Sequence, residues 1–219
     1  INADEQVIVV RSLVNEASQT TLAYRDLVLA TGAHSRLLPN LAVNHQTIFA
    51  VNHLDEYKSF QQRLNTLKSQ KSAPVKVAII GAGLIGCEFA NDLIGQNTGN
   101  QTADITVAVF DKAARPLAQQ LPSQASIMLQ DALTQSGVTF YLGTDITSIT
   151  TNIDTSDNAT VTISFDKDKQ SQTFEADIVL IAIGLVANTD LAASANIAIA
   201  SSQHINPTIT HLPRTCLLY

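Results

Sequence analysis

The sequence predicts an α/β chain: a parallel sheet flanked by helices, joined to an antiparallel β-meander. Three observations carry this. Val75–Asp111 runs as an apolar strand, a glycine turn, a helical pattern, a polar loop, a second apolar strand and an acid. DIVLIAI at 177–183 is an apolar run of strand length, the kind buried on both faces of a parallel sheet. Short β-rich segments between Val138 and Ala176 are separated by loops of Asn, Asp and Ser, which is how a meander reads.

Taken in order, VIVV at 7–10 and TTLAYRDLVLA at 20–30 read as strands, with Leu27–Ala30 a doubly buried run that ends on Thr31-Gly32. Residues 33–50 show little periodicity. Leu54–Leu67 reads as a helix, because Tyr57, Phe60, Leu64 and Leu67 recur on one face. Lys68–Pro74 is a polar linker. The strand from Val75 ends on Gly81-Ala82-Gly83-Leu84-Ile85-Gly86, and the helix that follows carries Ile85, Phe89 and Leu93 on one stripe, with Glu88, Asn91 and Asp92 off it. Gly95–Ala103 reads as a surface insertion. Pro122 suits the first turn of a further helix. Its stripe of Ala125, Met128, Leu129, Ala132 and Leu133 stops at Gly137, and Met128 is expected in the core. Val138–Leu142, Ile146–Thr151, Ala159–Phe165 and Thr173–Ala176 are expected to form the meander.

Each piece of the glycine turn has a mechanical job in holding a dinucleotide. Gly81 lets the chain leave the strand sharply, Gly83 lets a pyrophosphate approach the backbone, and Gly86 lets the helix pack tightly. The helix N-terminus offers unpaired N–H groups and partial positive charge. Asp111, 25 residues after Gly86, stands where a carboxylate accepts hydrogen bonds from an adenosine ribose. The usual spacing is about 20, and the polar insertion accounts for the excess.

With 219 residues, the chain is long enough for one or two domains. Hydrophobic residues make up 45% and charged residues 15%, which fits a globular chain with a real core. The net charge of −6 argues against nucleic acid or an anionic membrane surface as partner. No apolar run is long enough for a membrane span, and no signal peptide is visible, so the expected compartment is the cytoplasm. Cys87 and Cys216 lie far apart and form neither a CxxC nor a disulfide framework, and Cys87 is expected as a buried core thiol. The five histidines, 34, 45, 53, 204 and 211, show no metal-ligand spacing, so no metal site is expected. No side-chain nucleophile motif is present either. The chain starts at Ile1 and holds a single methionine, Met128, which predicts a piece of a longer protein.

LAYRDLVLATG at 22–32 and DIVLIAIGLVANT at 177–189 bracket the dinucleotide unit. Together with GAGLIGCEFA, DKAARPL and LPSQASIMLQDALTQSGVTFYLG, they make the chain resemble the two-dinucleotide-binding flavoprotein reductases, and within them the rubredoxin–NAD(+) reductases. The resemblance implies a Rossmann-like FAD/NAD(P)-binding fold in which an FAD domain is interrupted by an NAD(P)H domain. It divides the chain into 1–50 (partial FAD domain), 51–73 (helix and linker), 74–183 (NAD(P)H domain) and 184–219 (FAD return segment and an unplaced tail). It implies that Gly81, Gly83 and Gly86 cradle the NAD pyrophosphate, with the Leu84 and Ile85 amides beside them. Asp111 would bind ribose, and Glu88 would lie where nicotinamide meets flavin. Thr31, Gly32 and Gly184 would pass close to FAD, with Arg36 near the same place.

No catalytic side chain is required, because the cofactors carry the chemistry. The implied activity is NADH-dependent reduction of FAD, then electron transfer to a small carrier such as rubredoxin. NADH is expected over NADPH because Asp111 repels a 2′-phosphate, although Arg115 nearby is of the type that accommodates one. A nucleotide-binding module without catalysis is the alternative, as is a related reductase with ferredoxin, nitrite or oxygen as acceptor. The FAD-pyrophosphate fingerprint and the later Gly-Asp segment of the family are missing here, so an entire NAD domain and part of an FAD domain are expected.

Overall fold

The computed structural model describes residues 1–14, 17–39, 41–97, 104–153, 159–197 and 199. Most of the predicted insertion (98–103), Cys216, His204, His211 and the tail 201–219 lie outside the described residues. In chain order the elements are β1 (Val7–Arg11), β2 (Gln19–Ala23), β3 (Ala33–Ser35), β4 (Ile48–Ala50), α1 (Leu54–Gln70), β5 (Val75–Ile80), α2 (Leu84–Gly95) and β6 (Ile105–Asp111). There follow α3 (Ser123–Gln135), β7 (Val138–Leu142), β8 (Asp145–Ile153), β9 (Ala159–Lys167), β10 (Gln170–Ala176), β11 (Ile178–Ile181), β12 (Leu185–Ala187) and α4 (Asp190–Ser194). Two compact units result: Ser35–Gly184, and Ile1–His34 together with Leu185–Tyr219.

The larger unit is built on a parallel sheet of order β4-β11-β5-β6-β7. Its strands are buried on both faces, and successive residues point to opposite sides, as in any pleated strand. Val77, Ile79, Val107, Val109, Ile178 and Leu180 face one side and pack with Phe60, Leu64, Leu67, Cys87, Ala90, Leu93 and Leu133 of the three helices. Ala78, Ile80, Ala108, Phe110, Val179 and Ile181 face the other side and meet Val161, Ile163 and Phe165 of β9. The helices therefore cover one face, and the antiparallel β10-β9-β8 meander covers the other. The small Ala78 and Ala108, which are register partners, leave room for that second layer. Phe110 stacks on Tyr141 at 4.6 Å and meets Phe165 and Phe174 edge-on, a cluster that ties sheet to meander. Each such pair contributes roughly 0.5–1.5 kcal/mol beyond its buried area.

The helices follow local rules. The Glu56 carboxylate accepts from the Asn52 and His53 amides and closes a capping box at the start of α1. Helix α3 begins directly after Pro122, whose carbonyl accepts the Ser126 amide at 3.0 Å. Asn97 bonds the Asp104 and Ile105 amides and the Ile105 carbonyl, so one side chain clamps both ends of the predicted insertion.

The smaller unit contains the β1–β2 hairpin, the β3–β12 ribbon and α4. No helix among the described residues is long and apolar enough to cross a membrane.

Four expectations need correction. Val138–Leu142 is not in the meander; as β7 it pairs parallel with β6 at the sheet's edge. Leu27–Ala30 is not a doubly buried strand: Leu29 is buried but Val28 is 60% exposed. The described part of its unit holds two-stranded ribbons and the short helix α4, and none of them buries Val28. Met128 is not core but 67% exposed. Helix α3 instead buries Ser126, whose hydroxyl donates to the Pro116 carbonyl, so a polar residue occupies the stripe that hydrophobicity assigns to methionine. Finally, the segment read as irregular contains β4, all of it buried, at the other edge of the parallel sheet. Asn44 creates this strand by accepting the Gln46, Thr47 and Ile48 amides.

Asp177 anchors the start of β11. Its buried carboxylate accepts from Lys71 Nζ at 2.6 Å and from the Lys76 amide at 2.8 Å, so the linker and β5 both hang on it. Asp177→Ala strands that amide and the lysine. It should cost about 3 kcal/mol, read as a lower urea midpoint at unchanged slope.

Candidate functional site

Strands β5, β6 and β11 are parallel neighbours, so their carboxyl ends lie along one edge of the sheet. Each runs out into a distinctive residue: Gly81, Asp111 and, three residues past β11, Gly184. Chain order runs from β5 outward through β6 to β7, while β11 lies on β5's other side. The crevice where strand order reverses is where ligands gather in such sheets.

The three glycines differ in the space around them. Gly81 has φ +113, and a Cβ there would overlap the Ala182 carbonyl oxygen beyond β11. At Gly86 a Cβ would overlap the Gly81 carbonyl oxygen, so α2 sits directly on the turn. Gly83 differs: a Cβ would meet nothing within 4 Å, so the space beside it is open. It caps α2, with its carbonyl accepting the Cys87 amide at 3.0 Å. The first N–H groups of a helix have no intrahelical acceptor. Those at Leu84 and Ile85 stand beside this open position, in the arrangement that binds a phosphate.

Ala82, between the glycines, is held on both sides. Its amide donates to Asp111 Oδ2 at 2.6 Å. Its carbonyl accepts from the Leu117 amide at 2.8 Å and from the Cys87 thiol at 3.5 Å. Asp111 Oδ1 takes the Ala113 amide at 2.7 Å. An ionised carboxylate offers about four acceptor positions, so each oxygen keeps one for a further donor. Thr144 bonds the Asp111 carbonyl through both its amide and its hydroxyl, which fixes the end of β6 against the end of β7. Leu117 adopts φ +49, a left-handed conformation uncommon for leucine, to deliver its amide to Ala82.

Arg115 does not face the ribose side with a free guanidinium. Its two terminal nitrogens donate to the Leu121 and Ala118 carbonyls, each at 2.8 Å. Glu88 is exposed on α2 and lines a groove of about 400 Å³ with Leu84, Asn91, Leu117 and Leu129. Cys87 is a core thiol as expected; burial, and secondarily the Asp111 charge, pushes it up to about 11.

Thr31 and Gly32 form a separate group with Asn188. The Thr31 hydroxyl donates to the Asn188 carbonyl at 2.6 Å, and the Asn188 amide group donates to the Thr31 carbonyl at 2.9 Å. The Asn188 backbone N–H reaches the Gly32 carbonyl at 3.0 Å. Gly32 and Gly184 both have positive φ and open space where a Cβ would project, so each suits a close ligand approach. The Gly184 carbonyl accepts the Arg36 amide at 2.9 Å. Asn188 and Leu117 lie in the segments DIVLIAIGLVANT and DKAARPL that carry the resemblance, but the sequence reading gave neither residue a role of its own.

A glycine turn of this geometry at the switch point defines a dinucleotide-binding oxidoreductase fold. Residues 1–211 match the family described as pyridine nucleotide-disulphide oxidoreductase, and the chain belongs to that family, whose members bind FAD and NAD(H). It is 40% identical over 185 residues to a rubredoxin-NAD(+) reductase of Acinetobacter baylyi, covering 84% of this chain and 42% of that protein. It is 33% identical to the nitric oxide reductase FlRd-NAD(+) reductase of Aeromonas salmonicida, covering 83% and 41%. Among solved structures it resembles the ferredoxin reductase for the CYP199A2 system from Rhodopseudomonas palustris. That match has TM-score 0.65 and 28% identity and covers 84% of this chain and 40% of that one. The chain thus spans less than half the length of these relatives.

Two outcomes check the site. Gly86→Ala should destabilise by about 3 kcal/mol or more through its clash with the turn. Gly83→Ala, with φ −78 and open space, should cost about 1 kcal/mol at most, in chemical denaturation without nucleotide. The Cys87 thiol is raised in the fold above its ordinary value of 9.0. Its contribution is therefore fully present below pH 9 and lost as pH rises towards 11, because the unfolded chain sheds that proton first. Stability measured across that window should fall, and Cys87→Ala should remove this component of the fall.

Proposed function

We propose that residues 74–183 are the NAD(H)-binding domain, and that 1–50 and 184–219 belong to the FAD-binding part, of an NADH-dependent flavoprotein reductase. Gly81, Gly83 and Gly86, with the Leu84 and Ile85 amides, hold the pyrophosphate. Asp111 holds the adenosine ribose, and Glu88 orients the nicotinamide end. Thr31, Gly32 and Gly184 lie along FAD, with Arg36 beside them. The observation that carries this reading is the pinned Ala82 peptide: it holds the glycine turn open at Gly83 and puts the Asp111 carboxylate next to it. When bound, the two cofactors supply hydride transfer from nicotinamide to flavin and onward release of single electrons.

The residues here bind and orient; none is asked to act as a nucleophile or proton donor. The electron acceptor is a small iron protein of the rubredoxin type. Support comes from the Acinetobacter relative, which is named for rubredoxin. The Rhodopseudomonas structure is named a ferredoxin reductase, so a ferredoxin-type acceptor is the second reading.

Selectivity for NADH rests on two groups. Asp111 places negative charge where a 2′-phosphate would sit, at a cost of about 1 kcal/mol or more. Arg115, the residue type able to neutralise that phosphate, has its terminal nitrogens committed to backbone carbonyls. Titration calorimetry should find NADH about tenfold or more tighter than NADPH, and Asp111→Asn should narrow that gap. Equal affinities in the wild type would remove the role given to Asp111. Gly83→Ala should lower NADH affinity about tenfold while the fold persists.

A further inference from the structure

We propose that Asn188 is a positioning residue for the flavin-facing turn, acting as a clip that sets the backbone of Thr31–His34. This rests on the reading that Thr31 and Gly32 lie along FAD.

Four bonds join Asn188 to that turn, all within the smaller unit. Two use the asparagine side chain. Its Nδ2 donates to the Thr31 carbonyl at 2.9 Å, and its Oδ1 lies 2.7 Å from His34 Nδ1. Because Nδ2 must face a carbonyl, Oδ1 faces the histidine and Nδ1 carries the proton there. Two bonds use its backbone: the Thr31 hydroxyl reaches the Asn188 carbonyl, and the Asn188 amide reaches the Gly32 carbonyl. Asn188 both donates to this turn and accepts from it, so a shift of either segment by one residue would break the pairing. The clip spans 157 sequence positions and closes around Gly32, whose φ of +68 leaves the turn otherwise free to open.

Only asparagine fits this pattern among the short side chains. Aspartate would keep the contact with His34 but turn a carboxylate oxygen on the Thr31 carbonyl. Alanine would keep the two backbone bonds and lose both side-chain ones. The clip fixes which backbone groups Thr31 and Gly32 present, without touching the cofactor itself.

The test uses wild-type chain, Asn188→Ala and Asn188→Asp. Hydrogen exchange without cofactor should show about tenfold faster exchange at residues 31–36 and 185–189 in both variants, with 75–111 unchanged. FAD affinity, followed by flavin fluorescence and by the shape of the flavin absorbance band, should weaken about tenfold in both while NADH affinity holds. Unchanged exchange in the variants, or FAD binding equal to wild type, overturns the clip. Where the wild-type chain, which lacks the FAD-pyrophosphate fingerprint, binds no FAD, hydrogen exchange decides alone, and unchanged rates at 31–36 in both variants overturn the clip. A general loss of structure would lower NADH affinity in parallel and also counts against a positioning role.

Discussion

The peptide of Ala82 is the constraint on which the binding edge depends. A loop between two glycines is conformationally loose, and glycine loses more backbone entropy on ordering than any other residue. Here the peptide between them is tied by its N–H to the end of β6 and by its C=O to the Leu117 turn and α2. The turn with the start of α2, and the end of β6 with the Leu117 segment, thereby share one junction. Pre-organisation matters because a ligand that must first order its site loses affinity by the cost of that ordering. The left-handed Leu117 is the compensating strain, of order 1 kcal/mol, accepted where the amide is needed.

In the proposed reading the carboxylate that steadies the turn is also the one that would meet ribose, so structure and recognition would be coupled at Asp111. Both its oxygens are already engaged by backbone amides, which holds the side chain in one rotamer before any nucleotide arrives. A longer acid would reach past Ala82 instead of into it. Nearby positive charge is kept out of competition. Arg115 braces the 118–121 turn, and Lys112 pairs with Asp145 at an exposed position where such pairs contribute little.

Much of this was legible in the chain because the relevant signals are local. Gly81, Gly83 and Gly86 could be assigned different jobs from spacing alone, and Cβ geometry separates them in the same way: two positions closed, one open. The stretch at Ala159–Phe165 alternates with period two and is indeed a strand with one buried face. Partnership was not legible. Val138–Leu142 has the composition of any short strand, and only the parallel ladder with β6 sets it apart from the meander that follows. Leu27–Ala30 has the hydrophobicity of a central strand, yet hydrophobicity specifies burial only when another layer is there to cover it. Met128 misled for a related reason: helix α3 packs through Ser126, whose hydroxyl is satisfied by a carbonyl, so a polar residue takes a core position at no unpaired cost.

Sheet topology explains why so few residues suffice to define the site. In a parallel sheet the carboxyl ends of adjacent strands emerge side by side, so one special residue at or beyond each end is enough to build a crevice. Gly81 leaves β5 so close to Ala182 that the floor of the crevice is backbone against backbone, with no side chain intervening. Helix α2 begins at that edge, and the meander on the other face contributes bulk without charge through Val161, Ile163 and Phe165. In the proposed reading an anionic ligand is drawn there by oriented amides, which cost little reorganisation, and Asp111 is left to discriminate between a sugar hydroxyl and a phosphate.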